Sequence, residues 1–161
     1  MHDILDVAKW FTNKNGGTIS LRKMQTLCYY AQAWSYALRN KTLFAGYFQA
    51  WAHGPVNRKL WNKFKYIEYR DITIADFPDC LLETTPFSLE ENFFLERVWA
   101  TYGHLTGYQL EEIARSETPW IEKRNRLGLY GDSRIIINTQ TMNKYYKKLY
   151  KLGRRNLDEN Y

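Results

Sequence analysis

The side chains able to do acid–base, nucleophilic or metal chemistry are few and far apart. The three histidines, His2, His53 and His104, share no local spacing, so a metal centre would have to be assembled from distant segments. Cys28 and Cys80 stand in neither a metal-ligand nor a redox spacing, and Cys28 falls in an apolar helical pattern where a buried thiol acts as a small hydrophobe. No phosphate loop, dinucleotide glycine fingerprint, nucleophile elbow or zinc-protease helix occurs. Nothing in the order of residues proposes a Ser-His-Asp or Cys-His site. The expectation is a protein that is not an enzyme, with no cofactor and no metal.

Charge is concentrated. Of 23 Lys and Arg, six lie between Lys144 and Arg155, a stretch without an acid; outside it 17 cations balance 17 anions, so the net +6 belongs to one C-terminal segment. Lys144, Lys147, Lys148 and Lys151 form one face of a helix whose other face carries Met142, Tyr145, Tyr146, Leu149 and Leu152. Such a face could neutralise phosphates, or it could simply solvate a docked terminal helix. Residues 108–126 resemble a helix-turn-helix faintly, but Pro119 and Glu122 stand where a reading helix would want donors, and Glu111, Glu112 and Glu117 would repel phosphate.

Three clusters have an unusual residue mix. In Trp51-Ala52-His53-Gly54-Pro55-Val56 an extended segment turns sharply, and Trp51 and His53 could face a partner, or plug the core and bond a helix start. In Arg115-Ser116-Glu117-Thr118-Pro119-Trp120, Arg115 and Glu117 could pair across a tight connection between helices. Along Met24 to Trp34 the periodicity buries most aromatics and leaves Gln25, Tyr29 or Gln32 to reach the surface.

The elements that must position these clusters are mostly helical. Ile4, Val7, Ala8 and Phe11 predict a first helix over 3–13, stopped by Asn15-Gly16-Gly17. Ser20 caps a central helix reaching about Leu38. Residues 44–52 alternate as a strand or extended loop, and Pro55 opens a helix with Leu60, Trp61 and Phe64. Short β pieces are expected at 72–74, 80–82 and 135–137, with a loop at Gly128 and Gly131. Capping boxes Ser88/Glu91 and Thr106/Gln109 open two helices, Thr118-Pro119 a third, and Asn138 or Thr139 the last. At 161 residues, 45% apolar and 17% aromatic, the chain reads as mainly α: a single compact helical domain over 1–161 with a few short β-strands, ending in a basic amphipathic helix and short tail from about 140. The opening MHDILDVAKW is neither signal peptide nor anchor, which points to the cytoplasm.

The three clusters, in this order, resemble the Panacea domain, the family of SocA-type antitoxins and many phage-associated proteins of similar length. The likeness runs from about residue 3 to 150. It is carried by Leu21 to Trp34, by the W-x-x-G-P-V turn at 51–56, and by 88–120 ending in Ser116-Glu117-Thr118-Pro119-Trp120. The motif positions are Gln25, Tyr29, Tyr30, Trp51, Gly54, Pro55, Glu117, Pro119 and Trp120; Met24 and Cys28 replace usual leucines, and Arg115 stands where a histidine is common. The resemblance implies an antitoxin of a type II toxin–antitoxin pair, neutralising a cognate toxin from an adjacent gene by direct protein contact. Alternatives are a proteolytic adaptor delivering the toxin to a AAA+ protease, or a nucleic-acid-binding regulator using the basic C-terminal helix. No appended DNA-binding segment is expected, so repression is not implied. Partner-binding candidates are Trp51, His53, Arg58, Tyr102, His104 and Trp120, the aromatic and Arg types that dominate interface energetics, with the four lysines as an acid-attracting face. The toxin, its contact surface and the oligomeric state stay open.

Overall fold

The computed structural model describes residues 1–67, 69–78, 86–125 and 134–158, with side chains through 153. The strand expected at 80–82, Cys80, and the Gly128–Gly131 loop lie outside these residues. Polar caps set the helix starts: Asp3 opens α1 (Ile4–Lys14), Ser20 opens α2 (Leu21–Trp34), and Asn57 opens α3 (Arg58–Phe64). Reciprocal capping boxes start α4 (Leu89–Tyr102) at Ser88/Glu91 and α5 (Gly107–Arg115) at Thr106/Gln109. Pro119 stands in the first turn of α6 (Thr118–Arg124), and the Asn138 carboxamide accepts the Gln140 and Thr141 N–H groups to open α7 (Thr139–Asp158).

α2 is the axis of a mainly α structure. Every residue from Met24 to Ala33 is buried, and α1, α4, α5 and α7 pack around it. A π-helical turn, Ser35–Arg39, continues it until Asn40 takes a left-handed conformation. Among the described residues, two minimal antiparallel sheets accompany the helices. β1 (Thr18–Ile19) pairs Ile19 with Ile72 of β4 (Ile72–Thr73), and β2 (Gln49–Trp51) pairs Ala50 with Pro55 of β3 (Gly54–Val56).

Four expectations are corrected. Pro55 does not begin a helix; it lies in β3, because Asn57 accepts the Lys59 and Leu60 N–H groups and sets the helix start three residues later. Residues 135–137 meet β2 by a single bridge at Ile136 and form no strand. Gln25, Tyr29 and Gln32 are buried, not exposed. The Gln32 carboxamide bonds the Leu43 N–H and the Phe44 carbonyl, so burial satisfies its polar atoms. Finally, Leu149 and Leu152 are 39% and 46% exposed, since α7 runs past the core that covers Met142 and Tyr146.

Candidate recognition surface

The W-x-x-G-P-V turn is the β2–β3 hairpin, and the other motif residues hold it. Gly54 takes φ +151° against α5, where a Cβ would lie 3.2 Å from Glu111 Cγ; glycine suits both the backbone and the close approach. Three carbonyls of the hairpin accept side-chain N–H groups from α5 and α6. Arg115 Nη1 donates to His53 O at 2.9 Å, Trp120 Nε1 to Trp51 O at 2.9 Å, and Arg124 Nη1 to Ala50 O at 3.2 Å. From α2, the Gln25 carboxamide bonds both the N–H (2.8 Å) and the carbonyl (3.0 Å) of Asn57, just beyond β3.

This frame displays an aromatic and cationic patch. Trp51 and Trp61, both half-buried, meet edge to face at 5.2 Å, and the Arg58 guanidinium lies 6.0 Å from the Trp51 ring centre. His53 is exposed at the hairpin turn. Beside the frame, Glu111 is buried and ion-paired to Arg22 at 2.8 Å and Arg115 at 3.7 Å, while Arg22 stacks on the exposed Tyr108. Burial pushes the Glu111 carboxyl up to about 7 against the opposing pull of the two guanidinium groups.

Glu117 ties α6 to α2 and α7. Its Oε1 accepts the Tyr30 hydroxyl at 2.6 Å and the Tyr146 hydroxyl at 2.9 Å, and Tyr29 stands 3.2 Å from Tyr146, hydroxyl to hydroxyl. Burial raises the Glu117 carboxyl pKa, partly offset by these two donors. Burial also drives the Tyr29, Tyr30 and Tyr146 phenols far above their usual range, so they stay neutral and able to donate. Tyr30 stacks face to face on Tyr102 at 4.0 Å, and the Tyr102 hydroxyl accepts Trp34 Nε1 at 2.9 Å. Arg115 and Glu117 therefore do not pair: the first turns to the hairpin and the second to the tyrosines. A sealed carboxylate with its acceptor already engaged is a structural tie and is badly placed for proton transfer to a substrate.

Of the sequence-proposed contact residues, the structure brings together Trp51, His53, Arg58 and Trp120. Tyr102 is buried in the tyrosine stack, and His104 is exposed in the turn after α4. Lys144, Lys147, Lys148 and Lys151 are exposed along α7. Among the described residues, no three His, Cys, Asp or Glu side chains group as a metal site, and no helix is long and apolar enough to cross a membrane. Sequence reasoning missed Asn57, Trp61, Arg22 and Arg124. Asn57 directly precedes the Leu60/Phe64 period, a capping signal in plain view; the other three are legible only once the chain is folded.

Helices thus hold a short hairpin by its backbone, with aromatic and cationic side chains displayed on it. The family model described as antitoxin SocA-like, Panacea domain, matches residues 24–121. The chain belongs to this family and is an antitoxin-like protein. No curated protein and no solved structure matches it.

Proposed function

We propose that this protein is the antitoxin of a type II pair, acting in the cytoplasm and neutralising a cognate toxin from a neighbouring gene by direct protein contact. One observation carries the reading beyond family membership. Within the family-matched span, Trp51, Trp61, Arg58 and His53 form an accessible patch on a backbone-clamped hairpin, and such pre-organised aromatic and Arg anchors are what binding hot spots use. The lysines of α7 add long-range attraction for an acidic partner.

The test is bacterial growth with the adjacent open reading frame expressed alone and together with this chain. The neighbour alone should arrest growth, the pair should grow and co-purify in comparable amounts, and Arg58→Ala with Trp61→Ala should lose the rescue. A harmless neighbour would refute the reading. A toxin whose lifetime falls when this chain is present would point to delivery to a AAA+ protease. Binding of DNA that weakens steeply with salt and vanishes when the four lysines are neutralised would favour a regulator.

A further inference from the structure

A second recessed surface shares no lining residue with the hairpin. It is a groove of about 400 Å³ between the π-helical turn, α4 and α7, lined by Trp34, Leu38, Phe94, Val98, Tyr102 and Tyr150 together with Arg97, Ala100 and Thr101. Its lining is mostly apolar. The Thr101 hydroxyl already bonds the Arg97 carbonyl, and the Tyr102 hydroxyl already accepts Trp34. A small polar ligand would find few free hydrogen-bond groups here, whereas pockets for such ligands converge several. Leu38, part of this lining, is 37% exposed.

Two cations flank it. Arg97 is part of the lining on the α4 side, and on α7 the exposed Lys147 lies one turn before Tyr150. Among the described residues neither of these two forms an ion pair. Glu90, the acid one turn before Phe94, is engaged with Arg39 at 3.5 Å. A second copy of this chain would bring the same cations against one another. An apolar helix with acidic flanks would instead bury its ridge and neutralise the rim.

We propose that the α4–α7 groove receives an apolar, acid-flanked helix of the partner toxin. This deepens the antitoxin reading and rests on it, by naming a second point of contact and the chemistry it selects. The docked helix inserts side chains spaced at i, i+3/i+4 and i+7 over Phe94 and Val98, with its carboxylates facing Arg97 on one side and Lys147 on the other.

The test uses the full chain and the product of the adjacent open reading frame. Ala100 and Thr101 are exposed, so Ala100→Trp fills the groove without entering the core. The pair Arg97→Glu and Lys147→Glu reverses the rim and leaves the groove open. Both variants should keep the thermal midpoint of the parent, bind the neighbour at least about tenfold more weakly by calorimetry, and lose growth rescue. The rim variant should also lose the weakening of binding that added salt causes in the parent. If both variants rescue growth and bind like the parent, the groove proposal is overturned while the antitoxin reading stands. If the parent neither binds nor rescues, both fall together. If Ala100→Trp instead converts a dimer of the chain alone into a monomer in sedimentation, a second copy occupies the groove and the proposal is overturned.

Discussion

Replacing Tyr146 by Phe tests the tie that docks α7. The ring is fully buried and meets Tyr29, Tyr30, Trp34 and Tyr145, so Phe keeps the packing and opens no cavity of note. What disappears is the hydroxyl that donates to Glu117 at 2.9 Å and stands 3.2 Å from the Tyr29 hydroxyl. A hydrogen bond to a charged group is worth roughly 1.5–3 kcal/mol, and leaving the buried Tyr29 hydroxyl short of a partner adds about 1 kcal/mol. The expected loss is about 2.5–4 kcal/mol, or on the order of 5–15 °C in Tm for a chain of this size. Urea unfolding followed by circular dichroism measures it. The cycle with Glu117→Leu should give a coupling of about 1–2 kcal/mol, because each change removes the other's partner. A loss below about 0.5 kcal/mol, the size of an ordinary surface substitution, or a cycle without coupling, would refute the argument that the carboxylate and the phenol hold α7 together.

Three further outcomes are expected. The Glu111 carboxyl holds its proton more tightly in the folded state, at about 7 against an ordinary 4.5, so its contribution to stability is present below pH 4.5 and lost as pH rises to about 7. With solvent at its rim and two guanidinium groups opposing, this contribution is about 1–3 kcal/mol, and in Glu111→Gln the fall in stability across that window should be smaller by this amount in pH-dependent unfolding. Gly54→Ala forces a side chain onto φ +151° and 3.2 Å from Glu111 Cγ, which should cost about 1–3 kcal/mol in thermal unfolding. Asn57→Ala removes the acceptor of the Lys59 and Leu60 N–H groups and should lower stability by about 1–2 kcal/mol in the same assay.

Local signals wrote most of the helices plainly. Ser20, Ser88/Glu91 and Thr106/Gln109 cap helices at the predicted residues because a side-chain oxygen three residues before an N–H is a purely local arrangement. The hairpin at 51–56 was legible as a sharp turn but not as a hairpin. Its two strands are three residues each, and what stabilises them is distant: Gln25, Arg115, Trp120 and Arg124 come from three other helices. Gln25 and Gln32 misled for the same reason. A glutamine in an apolar stripe reads as a surface break until a loop returns its backbone to saturate the carboxamide. The basic face of α7 could be read from periodicity, but the point where its apolar face leaves the core could not, because that depends on where the rest of the core ends. Of the hairpin and its frame, the family motif marked Trp51, Gly54, Pro55, Glu117 and Trp120 while concealing that most of them build the support and only some meet the solvent.

The clamp on the hairpin grips atoms that every amino acid possesses. Arg115, Trp120 and Arg124 hold carbonyl oxygens of residues 53, 51 and 50, and a carbonyl survives any substitution at its own position. His53 can therefore change identity without loosening its attachment, and the face it offers can drift while its placement stays constant. A scaffold built this way separates the residues that must be kept from those free to vary. Selection could then retune such a surface toward a new partner one side chain at a time, with little penalty to folding at each step.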